Sequence, residues 1–364
     1  MADLKAQYQP ISEEMINAVR GVFESGRYYL GDNVKSLEQE IAERCGAEHG
    51  IGVNSGTDAI WLALRALGIG KGDEVITTPF TFVATTEVIA LLGAKPVYVD
   101  IDPATFNLDP DLVEAKITAR TKAILPVHLY GQPADISKVQ EIAVRHGLRV
   151  VYDGAQSIGA EADGKPVGAY GDAVTLSFFP TKNLGGVGDG GMILTNNDEL
   201  AEELRVLRFH GSGGTYFYKR VGYCSRLDEI QAAILRTKLP HLADWNETRR
   251  KNAVEYRELL ADMPITLPFE TPRVKHIYHQ FTTRCAERDS LKDFLKSREI
   301  DTGVYYPNPL HLEEAYKYLG YKPGDLPEAE RACREVLSLP VFPEMTGQQL
   351  AHVAGSIRSF YEDK

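Results

Sequence analysis

In the run Ser177-Phe178-Phe179-Pro180-Thr181-Lys182-Asn183-Leu184-Gly185-Gly186, continued by Gly188-Asp189-Gly190-Gly191, one lysine sits in a glycine-rich turn just after an apolar, strand-like stretch. A second apolar run upstream, Leu148-Arg149-Val150-Val151-Tyr152, ends in Asp153. An amine able to form a Schiff base and a carboxylate able to hold a pyridinium nitrogen are the two protein groups that pyridoxal phosphate requires. The blander account makes Lys182 a solvated loop lysine and Asp153 a helix N-cap, as most such residues are. The pair alone leaves both accounts open.

A third element favours the chemistry. The short apolar run Gly50-Ile51-Gly52-Val53 leads through Asn54-Ser55-Gly56-Thr57-Asp58 into Ala59-Ile60-Trp61-Leu62-Ala63-Leu64, which has helical spacing. A strand, a small-residue turn and a helix N-terminus offer free backbone amides to an anion, with the positive end of the helix dipole behind them. Ser177, at the end of the strand that leads to Lys182, adds a hydroxyl to the same phosphate seat. Many helices start with such residues, so the seat gains its weight from appearing with the carboxylate and the lysine in this chain order.

These residues need a scaffold. From about residue 35 to 210, strand-like runs at 74–78, 96–101, 123–130, 149–153, 173–179 and 192–195 alternate with helical patterns at 82–92, 110–116, 135–146 and 198–209. Such alternation predicts an α/β fold with a mostly parallel central sheet flanked by helices. Ligands of such sheets lie beyond the carboxyl ends of the strands, where the candidate groups fall. After about residue 240 the pattern changes to a long polar helix at 242–260, strands at 276–284 and 302–306, and helices at 290–298, 327–337 and 347–361. The expected division is a large cofactor-binding domain at 1–240, opening with an N-terminal arm and helix at 1–34, and a smaller C-terminal α+β domain at 241–364.

Two domains suit a chain of 364 residues, since single domains usually run to roughly 100–200. A hydrophobic share of 43% suffices for a sizeable core, and the net charge of −11 argues against nucleic acid as a partner. No run of about 18 apolar residues and no charged-then-apolar leader pattern occur, so no membrane partner is expected and the chain is placed in the cytoplasm. Cys45, Cys224, Cys285 and Cys333 have no C-x-x-C spacing, and no H-E-x-x-H occurs; reduced thiols and no catalytic metal are expected.

The chain resembles the DegT/DnrJ/EryC1/StrS family of nucleotide-sugar aminotransferases, of the PLP-dependent transferase fold type I (aspartate-aminotransferase fold). The resemblance rests on Asp3-Leu4-Lys5, Gly31, Asn54-Ser55-Gly56-Thr57-Asp58-Ala59, Thr81-Phe82-Val83-Ala84-Thr85, Val127-His128-Leu129-Tyr130-Gly131, Asp153-Gly154-Ala155-Gln156-Ser157, the Lys182 region, His210-Gly211, Ser225-Arg226-Leu227-Asp228 and Tyr305-Tyr306-Pro307. It implies Lys182 as Schiff-base lysine and proton shuttle and Asp153 as partner of the ring nitrogen. Gly56, Thr57 and Ser177 would hold the phosphate, Phe82 would stack on the ring, and Gln156 would face its phenolic oxygen. For Phe82 a place in the core is the competing reading.

The resemblance further implies a homodimer with shared active sites, in which many members carry asparagine at the position of Cys224 and reach across to the partner's phosphate. A thiol is a weaker donor than an amide, which puts that contact in doubt here. Arg226, Tyr305 and Tyr29 are candidates for substrate contact. Against these stand an ion pair of Arg226 with Asp228 or Glu229, and half-buried packing for Tyr28 and Tyr29. His128 and His210 read as structural histidines. The implied reaction moves an amino group from glutamate to a nucleotide-linked keto sugar. The Gly-Asp-Gly-Gly after Lys182 resembles that of members acting on 3-keto sugars, whereas those aminating carbon 4 commonly have Gly-Glu-Gly-Gly. Tyr305 stands where a relative acting on a 3-keto uronic acid has histidine, which leans toward a dTDP-linked 3-keto-6-deoxyhexose over a UDP-linked 3-keto uronic acid or a 4-keto sugar. A PLP-dependent dehydratase would replace the lysine by histidine, a non-catalytic regulatory homologue would have lost the cofactor residues, and a nicotinamide enzyme would show G-x-G-x-x-G after the first strand.

Overall fold

A computed structural model describes residues 3–362, so the outermost residues of the expected 1–34 arm and 241–364 domain lie outside it. Its centre is a seven-stranded sheet. In chain order the strands are β1 (His49–Val53), β2 (Glu74–Thr77), β3 (Lys95–Tyr98), β4 (Thr121–Ile124), β5 (Arg149–Asp153), β6 (Ala173–Ser177) and β7 (Gly191–Thr195). They lie side by side as β1-β7-β6-β5-β4-β2-β3. Only β7 runs against the others: it pairs antiparallel with both β1 and β6, while β6, β5, β4, β2 and β3 pair in parallel. The carboxyl ends of β1, β5 and β6 therefore open on one edge, which gathers the Ser55–Thr57 turn, Asp153 and Ser177.

The strands read as apolar runs because both faces are covered. One face packs Ile76, Ile124, Val150, Tyr152, Val174 and Leu194 on Leu37 and Ile41 of the helix Asp32–Cys45. The other packs Ile51, Val75, Ala123, Val151 and Ile193 on the helix Gly56–Ala66. That helix buries Ala59, Ile60, Leu62, Ala63 and Leu64. Glycines admit the tightest contacts. Gly191 lies opposite both Val53 and Ser177, and a Cβ there would stand 2.3 Å from the Ser55 carbonyl oxygen. Gly31 similarly makes room for Glu229, whose carboxylate accepts from the amides of Asn33 and Val34 and caps the helix Asp32–Cys45.

Beyond residue 240 the long helix Leu242–Leu259 supports a separate apolar cluster that includes Tyr256, Phe281, Leu291, Leu337, Val353 and Ile357. Two strands, β8 (Phe281–Arg284) and β9 (Val336–Leu339), pair antiparallel there. Several expected elements are corrected. The 110–116 segment forms two single-turn 3-10 helices instead of one α-helix. The 123–130 strand stops at Ile124; Pro126 follows, its carbonyl accepting from Asp153, and Leu129–Gly131 turns with Tyr130 at positive φ. The 302–306 strand shrinks to a single bridge, Gly303 with Ser338. The 327–337 helix ends at Glu335, and Val336–Leu339 becomes a strand because β8 lies beside it. Among the described residues no helix is long and apolar enough to cross a membrane.

Candidate active site

Asp153 ends β5 in a buried position, 5% exposed. Its Oδ1 accepts from the Ala155 amide at 3.1 Å and its Oδ2 from the Thr85 hydroxyl at 2.7 Å. Thr85 has one proton, so Thr81, 2.9 Å away, donates in turn to Thr85. Burial pushes the Asp153 carboxyl above its usual range, against the pull of Thr85, Ala155 and the nearby Lys182 charge. Lys182 feels the reverse. Burial pulls its amine down to about 8, and the Asp153 charge opposes this. A half-buried lysine and a buried carboxylate thus sense each other's charge, the two groups inferred from the strand ends.

The residues expected to seat a phosphate meet at the ends of β1 and β6. Ser55 caps the helix Gly56–Ala66, its Oγ accepting from Asp58 and its carbonyl from Ala59. The first-turn amides of Gly56 and Thr57 have no partner inside the helix. Ser177 lies directly against them: a Cβ on Gly56 would stand 2.7 Å from Ser177 Cβ and 3.1 Å from its Oγ. Two amides, a hydroxyl and a helix N-terminus meet at one cradle too close for any larger side chain at position 56.

The remaining candidates divide into two groups. Gln156 is buried; its Oε1 accepts from the Tyr130 amide at 2.7 Å and its Nε2 lies 3.3 Å from the Tyr306 hydroxyl. The Tyr306 ring stands 6.4 Å from that of Phe82. Phe82 is 56% exposed at the entry to the helix Ala84–Leu91, so its place is open and the core reading fails. The Tyr130 hydroxyl donates to the Tyr305 carbonyl, which attaches Tyr305 to the same group. Arg226 and Tyr29 form the second group. The Arg226 guanidinium lies 4.8 Å above the Tyr29 ring and 5.4 Å above Phe209, and donates to Cys224 Sγ at 3.1 Å. Next to it, Ser225 donates to Asp58 at 2.6 Å, which ties this group to the phosphate seat.

Two alternatives from the sequence are corrected here. Arg226 makes no ion pair with Glu229, whose carboxylate is committed to Asn33 and Val34; no salt bridge of Arg226 with Asp228 occurs among the described residues either. Tyr28 and Tyr29 are 51% and 57% exposed rather than half-buried packing residues. Of the two histidines, His128 is fully buried and stacked on Tyr152, its Nδ1 accepting from Ala134 while Nε2 has no partner. His210 is exposed at the surface, outside any core. Sequence reasoning missed Thr85, Thr81 and Tyr306 as site residues. Thr85 carried a signal, a hydroxyl three positions past Phe82 and so on the same side of the chain as that ring.

The donor set fits pyridoxal phosphate. A buried carboxylate retains lone pairs for a ring nitrogen, unsatisfied amides beside Ser177 suit a phosphate, a low-pKa lysine suits a Schiff base, and Phe82 offers an uncovered ring face. Residues 9–358 match the model of the DegT/DnrJ/EryC1/StrS aminotransferase family. The chain is 55% identical to a pleiotropic regulatory protein of Geobacillus stearothermophilus over 365 residues, 99% of this chain and 98% of that protein. It is 46% identical to the UDP-N-acetyl-3-dehydro-alpha-D-glucosamine 3-aminotransferase of Acidithiobacillus ferrooxidans over 358 residues, 98% and 96% of the two chains. It is also 46% identical to the dTDP-3-amino-3,4,6-trideoxy-alpha-D-glucose transaminase of Streptomyces venezuelae over 361 residues, 99% and 95% of the two. The crystal structure of S. venezuelae DesV in complex with a ketimine intermediate superposes with a TM-score of 0.97 at 46% identity, covering 99% of this chain and 98% of that one. The chain therefore belongs to the DegT/DnrJ/EryC1/StrS aminotransferase family and is a pyridoxal-phosphate-dependent sugar aminotransferase.

Proposed function

We propose that the enzyme moves an amino group from glutamate to carbon 3 of a nucleotide-linked keto sugar, with Lys182 as the residue that carries the cofactor and moves the proton. The observation that carries this reading is the Lys182 amine, brought down to about 8 by burial beside Asp153 at the carboxyl edge of the sheet. An amine with that value is uncharged in about one molecule in ten at pH 7, against fewer than about one in a thousand for an ordinary lysine, and the neutral form can both attack and accept a proton. When bound, pyridoxal phosphate supplies the electron sink. Asp153, held by Thr85 and Ala155, would keep the ring nitrogen protonated; Gly56, Thr57 and Ser177 would anchor the phosphate; Phe82 would cover one ring face. Gln156 and Tyr306 stand at the edge where the ring oxygen would lie. The substrate side is assigned to Tyr29, Arg226 and Tyr305.

Carbon 3 is supported by the Gly-Asp-Gly-Gly after Lys182 and by two relatives named for 3-amino or 3-keto sugars. A dTDP-linked 3-keto-6-deoxyhexose is the preferred substrate. Arg226 favours one alternative: it lacks a carboxylate partner among the described residues, and a guanidinium in that state suits a UDP-linked 3-keto uronic acid. A relative named as regulatory raises a non-catalytic reading, against which Lys182, Asp153 and Ser177 are all present. Phe82, Phe179, Val187, Tyr28 and Tyr29 are exposed large apolar residues that a second copy of the chain would cover in a homodimer with shared sites. The test offers 3-keto and 4-keto nucleotide sugars with glutamate and locates the new carbon–nitrogen bond by NMR. Amination at carbon 4 alone would overturn the assignment, and no turnover with any sugar would favour the regulatory reading.

A further inference from the structure

Directly after Lys182, the buried Asn183 lies at the middle of a hydrogen-bond chain that the reaction scheme above does not use. Asn246 Nδ2 donates to the Ile158 carbonyl at 3.0 Å. A carbonyl only accepts, so the Asn246 amide must present its oxygen at the other side, where Asn183 Nδ2 donates at 2.7 Å. Asn183 must then turn its own oxygen to His279 Nδ1, 2.9 Å away. An amide oxygen only accepts, so His279 carries its proton on Nδ1 and its lone pair on Nε2. Each orientation follows from the one before it, and the chain ends on main chain. Gly159, at positive φ, clears the space for Asn246 Nδ2, which a Cβ would approach to 2.7 Å. Arg249 holds the backbone at His279, donating to the carbonyls of Tyr278 and His279 at 3.3 and 3.5 Å, and anchors it to the Val341 carbonyl at 2.7 Å.

We propose that the chain Ile158–Asn246–Asn183–His279 positions Lys182, fixing the residue that follows it and locking His279 as the neutral Nδ1–H tautomer beside the lysine. The charged and titratable groups around His279 are Lys182, Arg249 and His276; together with burial they hold its imidazole neutral, well below the usual histidine range. Lys182 thus has a neutral side chain near it instead of a second cation. The inference rests on Lys182 as the cofactor lysine.

The test uses the holoenzyme and titrates the cofactor's visible absorbance against pH. The set is wild type, His279→Asn, His279→Gln, His279→Leu and Asn246→Ala. Asparagine places an amide N–H where Nδ1–H was and glutamine does not, so His279→Asn should titrate as wild type. His279→Gln, His279→Leu and Asn246→Ala should each shift the midpoint by about half a pH unit or more and lower kcat about tenfold with KM for glutamate unchanged. A residue that merely packs would lower Tm in every variant and leave the midpoint alone. Equal midpoints throughout, or His279→Asn displaced as far as His279→Leu, overturn the proposal. Asn246→Ala touches neither lysine nor histidine and reads the chain even where a His279 variant fails to fold. Borohydride mapping of the same samples separates the two claims: label on another lysine would fail the Lys182 assignment, and an unaccepted sugar would leave the titration intact.

Discussion

The Thr85 hydroxyl donates to Asp153 Oδ2 at 2.7 Å across 68 positions of sequence. It thereby joins the helix that displays Phe82 to the carboxylate that would hold the ring nitrogen. Removing that donor leaves a buried oxygen short of a partner. Thr85→Val keeps the β-branched shape and should raise the cofactor dissociation constant about five- to tenfold, as about 1–1.5 kcal/mol of a charge-assisted bond is lost. Titration of the apoenzyme with pyridoxal phosphate measures this. An unchanged constant would mean that Ala155 alone suffices to hold Asp153.

The lysine amine has a measurable effect on the apoenzyme. Folding takes Lys182 from the ordinary 10.5 to about 8. Between those values the unfolded chain binds more protons than the folded one, so stability rises with pH through that window and this contribution is fully unfavourable below about 8. Lys238, which donates to the Gly185 carbonyl and is also lowered to about 8, adds a slope of the same sign. The comparison is therefore apo wild type minus Lys182→Met, each melted from pH 7 to 10.5. The Met variant should be the more stable at pH 7, and its advantage should fade toward pH 10.5. Parallel curves would show that the amine is solvated in the apoenzyme.

Gly56 gives a steric test of the phosphate seat. In Gly56→Ala the new methyl would stand 2.7 Å from Ser177 Cβ, so Ser177 must move or the helix N-terminus must retreat. Cofactor affinity should fall at least tenfold, a loss of about 1.4 kcal/mol or more. Equilibrium dialysis against pyridoxal phosphate and against pyridoxal reads it: only the phosphorylated form should suffer. Equal losses for both would move the phosphate elsewhere.

If two copies complete each other's sites, Lys182→Ala and Arg226→Ala protomers, each inactive alone, should recover part of the activity once mixed into heterodimers, because one hybrid site regains both groups. Cys224→Asn should be tolerated and should tighten cofactor binding by up to about 1 kcal/mol if the added amide reaches the phosphate. Verified heterodimers without activity would place each site within one chain.

Lys182, Asp153 and the turn at Ser55–Thr57 were legible from the sequence because each belongs to a local pattern: an apolar strand run that ends in a small-residue turn has one geometry open to it, and the rule of strand carboxyl ends brings such turns together. Propensity could not decide the 336–339 segment, whose apolar run extends a helix until β8 supplies a partner. Nor could it decide Arg226, since an arginine near two acids reads as an ion pair until Glu229 is seen capping a helix begun about 200 residues earlier. Thr85 and the His279–Asn183–Asn246 chain lie deeper still, linking residues 68, 96 and 63 positions apart. The reason is physical. Periodicity reports which face of an element is buried, whereas the partner of a buried polar group depends on which distant segment the packed chain brings within hydrogen-bond reach. The chemistry was therefore set by residue type and local order, and only the tertiary structure decided how its groups are held.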